Sequence, residues 1–287
     1  MASKEVNFLS SPFLLIIPGL TILVFFLIAL LILGRLSFYQ YVPGGKLWTP
    51  TITLDNYWAF LSQTFYLNYL WLTIRISAEC TLIALFLSYP VAYVLARIRS
   101  VILSGLILTL IIISNFTSTV VILYVWLLAL SDNGIVNGLL LALGLISQPL
   151  RLTYNEFAVV LAMVDWVLPF TIFSLVGAIQ NIEPSLEQAA QSLGANKVQT
   201  FLKVTLPLSI PGIVAAVLLS FLGEITSFVI PMIMGGGRFD FISNLIYEKI
   251  IFSTNFPFGS AAAMILLAVT MVIGYGINKM LMRKTLS

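Results

Sequence analysis

Long apolar runs dominate the hydrophobic pattern of this chain, and polar residues gather in short intervals between them. The windows 13–34, 101–130 and 256–278 carry no charged residue at all. An uncharged apolar run of about 18 residues or more reads as a membrane-spanning helix. Six such spans fit the apolar blocks, at 13–36, 69–96, 101–128, 157–180, 208–232 and 257–280. The polar stretch Ser114 to Thr119 interrupts the third block and predicts a break or bend there. Asn133 to Leu145 is apolar but short and bounded by glycine, which predicts an interfacial or re-entrant helix. Asp240 to Ser253 places Ile242, Leu245, Ile246 and Ile250 at helical spacing and predicts an amphipathic helix on the outer surface. The apolar stretch Phe13 to Gly34 is longer than a signal-peptide core and has no small-residue cleavage site after it, so it is expected to be a retained first span. The expected fold class is therefore an all-α membrane protein. A short segment 1–12 precedes a six-span domain over 13–280, and 281–287 follows it. The outer loops are expected at 37–68, 129–156 and 233–256, with a polar loop at 181–207.

Composition narrows the function. Hydrophobic residues make up 60 % of the 287 positions and charged ones 9 %, against about 45–50 % and 25 % in ordinary globular chains. A soluble enzyme, a nucleic-acid binder and a disordered regulator are excluded, and membrane lipid is the expected surrounding. There is no histidine and one cysteine, Cys80, so no metal centre of the zinc, haem or iron–sulfur kind and no internal disulfide is expected. Without histidine there is no ordinary nucleophile–base triad, and without a P-loop motif no nucleotide hydrolysis by this chain alone. The basic residues set the orientation. Lys4, Arg97, Arg99, Lys197, Lys203, Lys279, Arg283 and Lys284 fall on one side, and Arg35, Lys46, Arg151, Arg238 and Lys249 on the other. The excess of the first group predicts cytoplasmic termini and a cytoplasmic 181–207 loop.

That loop has readable local physics. Pro184 suits the first turn of a helix. Leu186, Ala189, Ala190 and Leu193 then form an apolar stripe at i, i+3, i+4 and i+7. Gly194 is placed to end the helix in a left-handed cap, and Asn196 to start a second short helix through Phe201. Pro207 and Pro211 mark the entry to the fifth span. A cytoplasmic helix presenting small residues invites insertion into a groove on another protein.

The spacing Ala189-Ala190, three residues, Gly194, nine residues, Val204-Thr205-Leu206-Pro207 resembles the EAA loop of the permeases of ATP-binding-cassette (ABC) importers. The family's glutamate position is Gln188 here, with Glu187 one place earlier. Leu54-Asp55-Asn56-Tyr57, Tyr89-Pro90-Val91-Ala92-Tyr93, Leu168-Pro169-Phe170, Pro211-Gly212-Ile213 and Gly235-Gly236-Gly237 resemble the polyamine branch of those permeases, that is, the spermidine/putrescine type. The resemblance implies a type I importer (MetI-like) fold in a bacterial inner membrane. It implies that Glu187, Gln188, Ala189, Ala190, Leu193, Gly194, Leu206 and Pro207 couple the chain to an ATPase. It further implies two ATPase subunits that bind ATP and magnesium, a second homologous permease in a heterodimer rather than a homodimer, and an extracytoplasmic substrate-binding protein. This chain itself would hold no cofactor. The implied cargo is a small amine-bearing solute, although relatives also carry opines, aminophosphonates and ferric iron.

Four ionisable residues fall within the predicted spans: Arg75, Glu79, Asp165 and Glu224. Each costs about 2.5–3.5 kcal/mol near the bilayer centre on insertion scales, so each calls for a physical reason. Arg75 and Glu79 lie four apart on one helix, which predicts a local ion pair. Asp165 and Glu224 lack such a partner. With the aromatics Trp166 and Phe228 they could contact a cation on a translocation path. Alternatively, each is protonated or hydrogen-bonded to a neighbouring helix or to the partner permease. A proton- or sodium-coupled secondary transporter using Asp165 and Glu224 is the competing function, although no internal repeat is visible. An intramembrane aspartyl protease is disfavoured because the Tyr-Asp and Gly-x-Gly-Asp settings are missing. The triple glycine reads as an outer loop, Trp48, Tyr57 and Trp58 as interfacial anchors, and Gly259, Ala261, Ala262 and Ala263 as a close-packing stripe.

Overall fold

A computed structural model describes residues 12–44, 48–98 and 100–283. Lys4, Lys46, Arg99 and Lys284, four of the residues that set the predicted orientation, lie outside the described residues, as does the segment 1–11. Among the described residues, five helices are long and apolar enough to cross a membrane: Ile16–Leu36, Thr64–Arg97, Thr119–Ala142, Glu156–Gln180 and Phe256–Met280. A sixth span forms if Lys197–Leu208 and Ile210–Ile225, which meet at a 64° bend, count as one. The break predicted in the third block is present. It divides α4 (Val101–Ile113) from α5 (Thr119–Leu130) through a 3-10 turn at Ser114–Phe116. The long apolar stretch begins after this break and runs on through α6 (Ile135–Ala142), so the expected span 101–128 is shifted toward the C-terminus.

The chain forms two compact units. The first holds α1 (Pro12–Leu36), the strands β1 (Tyr39–Tyr41) and β2 (Trp48–Ile52), α2 (Asp55–Ser62) and residues 246–265. None of the membrane-length part of α1 is buried, so lipid or another subunit must cover it. The strands pair antiparallel, Tyr41 opposite Trp48, in a segment expected to be loop. Gly44, at φ +78°, allows the reversal between them. The buried Asn56 side chain donates to the carbonyls of Ser37 and Tyr39, both at 2.9 Å, and so anchors α2 to the exit from α1. The small-residue stripe packs as expected. A Cβ on Gly259 would lie 2.5 Å from Ile250 Cγ1, and Ala261 and Ala262 are wholly buried.

The second unit is built on α3 (Thr64–Arg97), α7 (Glu156–Gln180) and α11 (Ile210–Ile225). α3 packs most extensively against α7, and α11 packs against both. Ile76, Cys80 and Ala84 of α3 meet Val159, Ala162, Met163 and Val167 of α7 in one core, and Ala92 and Leu95 meet Leu175, Ile179 and Ala216 in another. Alternating small and branched residues lets the backbones approach. α7 and α11 approach closely at Gly212, where an added Cβ would stand 2.0 Å from Ala178 Cβ. Asn137 secures the short α6. It donates to the carbonyls of Ser131 and Leu150, and its own carbonyl oxygen accepts from the Leu150 backbone N–H.

Candidate functional site

The 181–207 segment is a built structure and not a slack connector. α8 (Pro184–Ser192) opens with its proline in the first turn, after an extended Glu183. Gly194 ends it at φ +93°, a conformation that strains any side-chain-bearing residue, although open space surrounds the position. Asn196 then starts α9 (Lys197–Thr200) with a reciprocal capping box. Its side chain accepts from the Gln199 N–H at 2.8 Å, while Gln199 Oε1 accepts from the Asn196 N–H at 3.0 Å. The second helix was expected to stop at Phe201. It continues instead through a wide π turn at Phe201–Thr205 into α10 (Leu206–Leu208), which contains Leu206 and Pro207, before the 64° bend into α11.

No residue of α8 is fully buried. Most of its apolar stripe faces outward, with Leu186 46 % exposed and Leu193, just past the helix end, 90 % exposed. Ala189 and Gln188 are also exposed, and Glu187 and Ala190 turn inward. Glu187 Oε1 accepts from Arg97 Nη2 at 2.8 Å and from Thr205 Oγ1 at 2.8 Å. The sequence pointed to Glu187 only as a displaced family residue. Its partners, 90 positions upstream and 18 downstream, follow from the fold and not from any local spacing.

The in-membrane charges resolve differently from one another. The expected pair of Arg75 with Glu79 is present at 3.2 Å, but the stronger partner is Glu156 at the start of α7. The two guanidinium nitrogens reach the two Glu156 oxygens at 2.7 and 2.8 Å, a bidentate fork that one helix turn cannot offer. Asp165 accepts from Trp126 Nε1 at 3.0 Å. Together with Trp166 it borders a cavity of about 50 Å³, whose other polar walls are Asn115, Thr117 and Thr119 at the break between α4 and α5. Irregular backbone at membrane depth is tolerated where it lines such a space. Trp166 also lies over Gly223, where a Cβ would come within 3.1 Å of the indole, and its ring is 5.6 Å from that of Phe170.

Glu224 and Phe228, expected to share a path with these residues, do not border this cavity. Glu224 is fully buried, and neither carboxylate oxygen has a hydrogen-bond partner among the described residues. Phe228 starts α12 (Val229–Met234), and its carbonyl accepts from Asn244 Nδ2 at 3.0 Å. The four residues therefore form no single site. Asp165 and Trp166 come together, and Glu224 is sealed inside the subunit, because α11 turns its acidic face toward the packed helices.

Residues 88–287 match the family described as the binding-protein-dependent transport system inner membrane component. The chain is 33 % identical over 244 residues to the spermidine/putrescine transport system permease protein PotB of Haemophilus influenzae, covering 84 % of this chain and 85 % of that protein. It is 34 % identical over 222 residues to PotB of Escherichia coli K12, covering 77 % and 79 %. In fold it is similar to a chain of a bacterial ABC transporter involved in the import of the acidic polysaccharide alginate. The TM-score there is 0.78 at 21 % identity, over 94 % of each chain.

Proposed function

Because this chain belongs to the family of binding-protein-dependent transport system inner membrane components, and is a permease subunit of an ABC importer, we propose that its cargo is a small polyamine-like cation and that α8 is the helix through which ATP hydrolysis drives the transport. The sequence similarity to permeases named for spermidine and putrescine carries the substrate reading. The chemistry of the Asp165 cavity supports it. A carboxylate fixed by an indole N–H, flanked by hydroxyl and amide groups and by the aromatic Trp166, suits an ammonium group through charge and cation–π attraction. The 50 Å³ space admits one such head group and not a whole polyamine, so passage needs the helices to part.

In this reading the 181–207 loop and both termini face the cytoplasm. Two ATPase subunits, carrying ATP and magnesium, receive the outward stripe of Leu186, Ala189 and Leu193, and a second homologous permease completes a heterodimer. An extracytoplasmic binding protein delivers the cation. Nucleotide binding draws the coupling helices together and turns the spans outward, and hydrolysis resets them. Proteins of this kind are transducers and not enzymes, and the family assignment displaces ion-coupled secondary transport. The test is uptake of labelled spermidine by cells whose own polyamine importers are deleted and which express this chain with its companion subunits. Saturable, ATP-dependent uptake that falls at least tenfold in Asp165→Asn is the expected result, by analogy with the loss of one desolvated charge partner. Unchanged kinetics in Asp165→Asn would remove Asp165 from the path, and no spermidine uptake at all would remove the substrate class.

A further inference from the structure

One carboxylate oxygen gathers three segments of the loop region. Glu187 Oε1 accepts from Arg97 Nη2 and from Thr205 Oγ1, both at 2.8 Å. The same Arg97 Nη2 donates to the carbonyl of Ile182 at 3.3 Å. Arg97 is the last residue of α3, Ile182 lies in the turn entering α8, and Thr205 closes the π turn that leads to α11. The Arg97 and Glu187 side chains are only 19 % and 12 % exposed, and Thr205 is fully buried. Charged hydrogen bonds this shielded from water are directional, and costly to leave half made. A second attachment runs parallel to the first. The Phe201 ring stands edge-on to Tyr89 and to Tyr93 of α3, 5.6 Å from each, and the Tyr89 hydroxyl meets Ser209 Oγ at 2.7 Å.

All but the Glu187–Thr205 bond end on α3, and that bond ties α8 to the π turn. α8 has no fully buried residue and packs mainly against α9 and the π turn, so the Arg97 contact is its direct tie to α3. We propose that Arg97, Glu187 and Thr205 are positioning residues that lock α8 and the adjacent end of α3 into one rigid body. A displacement of α8 then passes directly to α3, and through it to α7, instead of being absorbed by the loop. Glu187 does this work from the inner side of α8, out of reach of a docked protein, while Gln188 and Leu193 remain on the outer side. The inference rests on the reading of α8 as the coupling helix.

The test uses the complete transporter in lipid nanodiscs, with spin labels at Ser192→Cys beside the end of α8 and Val94→Cys on α3. Both sites are exposed, whereas Cys80 is buried. Without substitution at the lock, the label-to-label distance is expected to be narrow and equal in the nucleotide-free and vanadate-trapped states. Glu187→Gln, Arg97→Met and Thr205→Val should broaden it, and the exchanged pair Arg97→Glu with Glu187→Arg should narrow it again. Spermidine moved per ATP hydrolysed should fall about fivefold to tenfold in the single variants, the scale of one lost coupling contact, while the ATPase subunits still co-purify. A distance that stays narrow in Glu187→Gln and Arg97→Met, or one that already changes between states in the unsubstituted chain, overturns the proposal. A cysteine at Leu193 separates the two levels. If it never cross-links to an ATPase subunit, the coupling-helix reading fails and the lock fails with it. If it cross-links while the distance ignores the substitutions, the lock alone fails.

Discussion

Toward each end of α3 lies an arginine that grips a glutamate from a distant segment, Arg75 eleven residues after its start and Arg97 at its last residue, and the two grips do different work. At one end Arg75 holds Glu156 in a two-point fork and Glu79 beside it, with Arg75 34 % and Glu156 36 % exposed. It joins two long helices whose core is already closed by Ile76, Cys80, Ala162 and Met163. At the other end Arg97 holds Glu187 on a helix with no buried residue. The chemistry is nearly the same, but the value of an ion pair depends on what else would keep its partners together. Where packing is dense the pair is redundant. Where packing is sparse the pair adds most to the attachment.

The comparison breaks most forcefully at the packing itself. If close helix packing carries the second unit, then Gly212→Ala, which would set a methyl 2.0 Å from Ala178 Cβ where α11 meets α7, should be strongly destabilising. Overpacking of this kind costs about 1–3 kcal/mol. The expected outcome is a lower thermal midpoint in detergent, measured by tryptophan fluorescence or by a size-exclusion assay. The double variant Gly212→Ala with Ala178→Gly should recover most of the loss.

Next comes the lock at the other end. Arg97→Met leaves the Glu187 carboxylate with Thr205 as its remaining hydrogen-bond donor, a loss on the order of 1–3 kcal/mol. The expected signature is local. Hydrogen exchange should quicken across α8 and the π turn, while the thermal midpoint of the packed helices barely moves. Exchange that quickened equally in α7 would place the pair in the general stability of the unit and erase the contrast between the two ends. Smaller still is Glu156→Gln at the first end. Partly exposed pairs are worth about 0–1 kcal/mol, so its midpoint should stay close to that of the unsubstituted chain. A drop as large as that of Gly212→Ala would show that packing does not carry this end after all.

The sequence displayed one half of each pair and concealed the other. Arg75 and Glu79 are one helical turn apart, so their contact follows from spacing alone, whereas Glu156 comes near only because α3 and α7 lie side by side. In the sequence Arg97 is one basic residue among those that set orientation, and Glu187 is a displaced motif residue. Nothing within 90 positions of chain could join them. The spans were legible because a membrane demands long uncharged runs, and the cap at Gly194 because few residues tolerate a φ of +93°. The hairpin of β1 and β2 was missed, though Val42-Pro43-Gly44 between two tyrosine-rich and threonine-rich stretches carried a turn signal. That Glu224 faces inward follows from the cost of a charge in lipid, but which helices enclose it does not, because on an apolar helix the inner face shows only when its neighbours are known.

The smallest effect expected is also the sharpest test of which face of α8 does what. Residues 187 and 188 are neighbours in sequence, but about 100° apart around the helix, so one is directed at Arg97 and the other away from the chain. Gln188→Glu restores the glutamate of the EAA pattern at an exposed position. If inward attachment belongs to Glu187 alone, this change should leave exchange rates in α8 untouched and shift stability by no more than about 0.5 kcal/mol. Any effect it has should surface only with the ATPase subunits present, as a change in how tightly they co-purify. Moving the carboxylate instead, with Glu187→Gln and Gln188→Glu together, keeps the composition and the net charge of α8 constant while removing the carboxylate that Arg97 holds. That double variant should loosen α8 as much as Glu187→Gln alone. If it behaved like the unsubstituted chain, charge anywhere on the helix would suffice, and the directional argument drawn from the 2.8 Å contacts would be wrong.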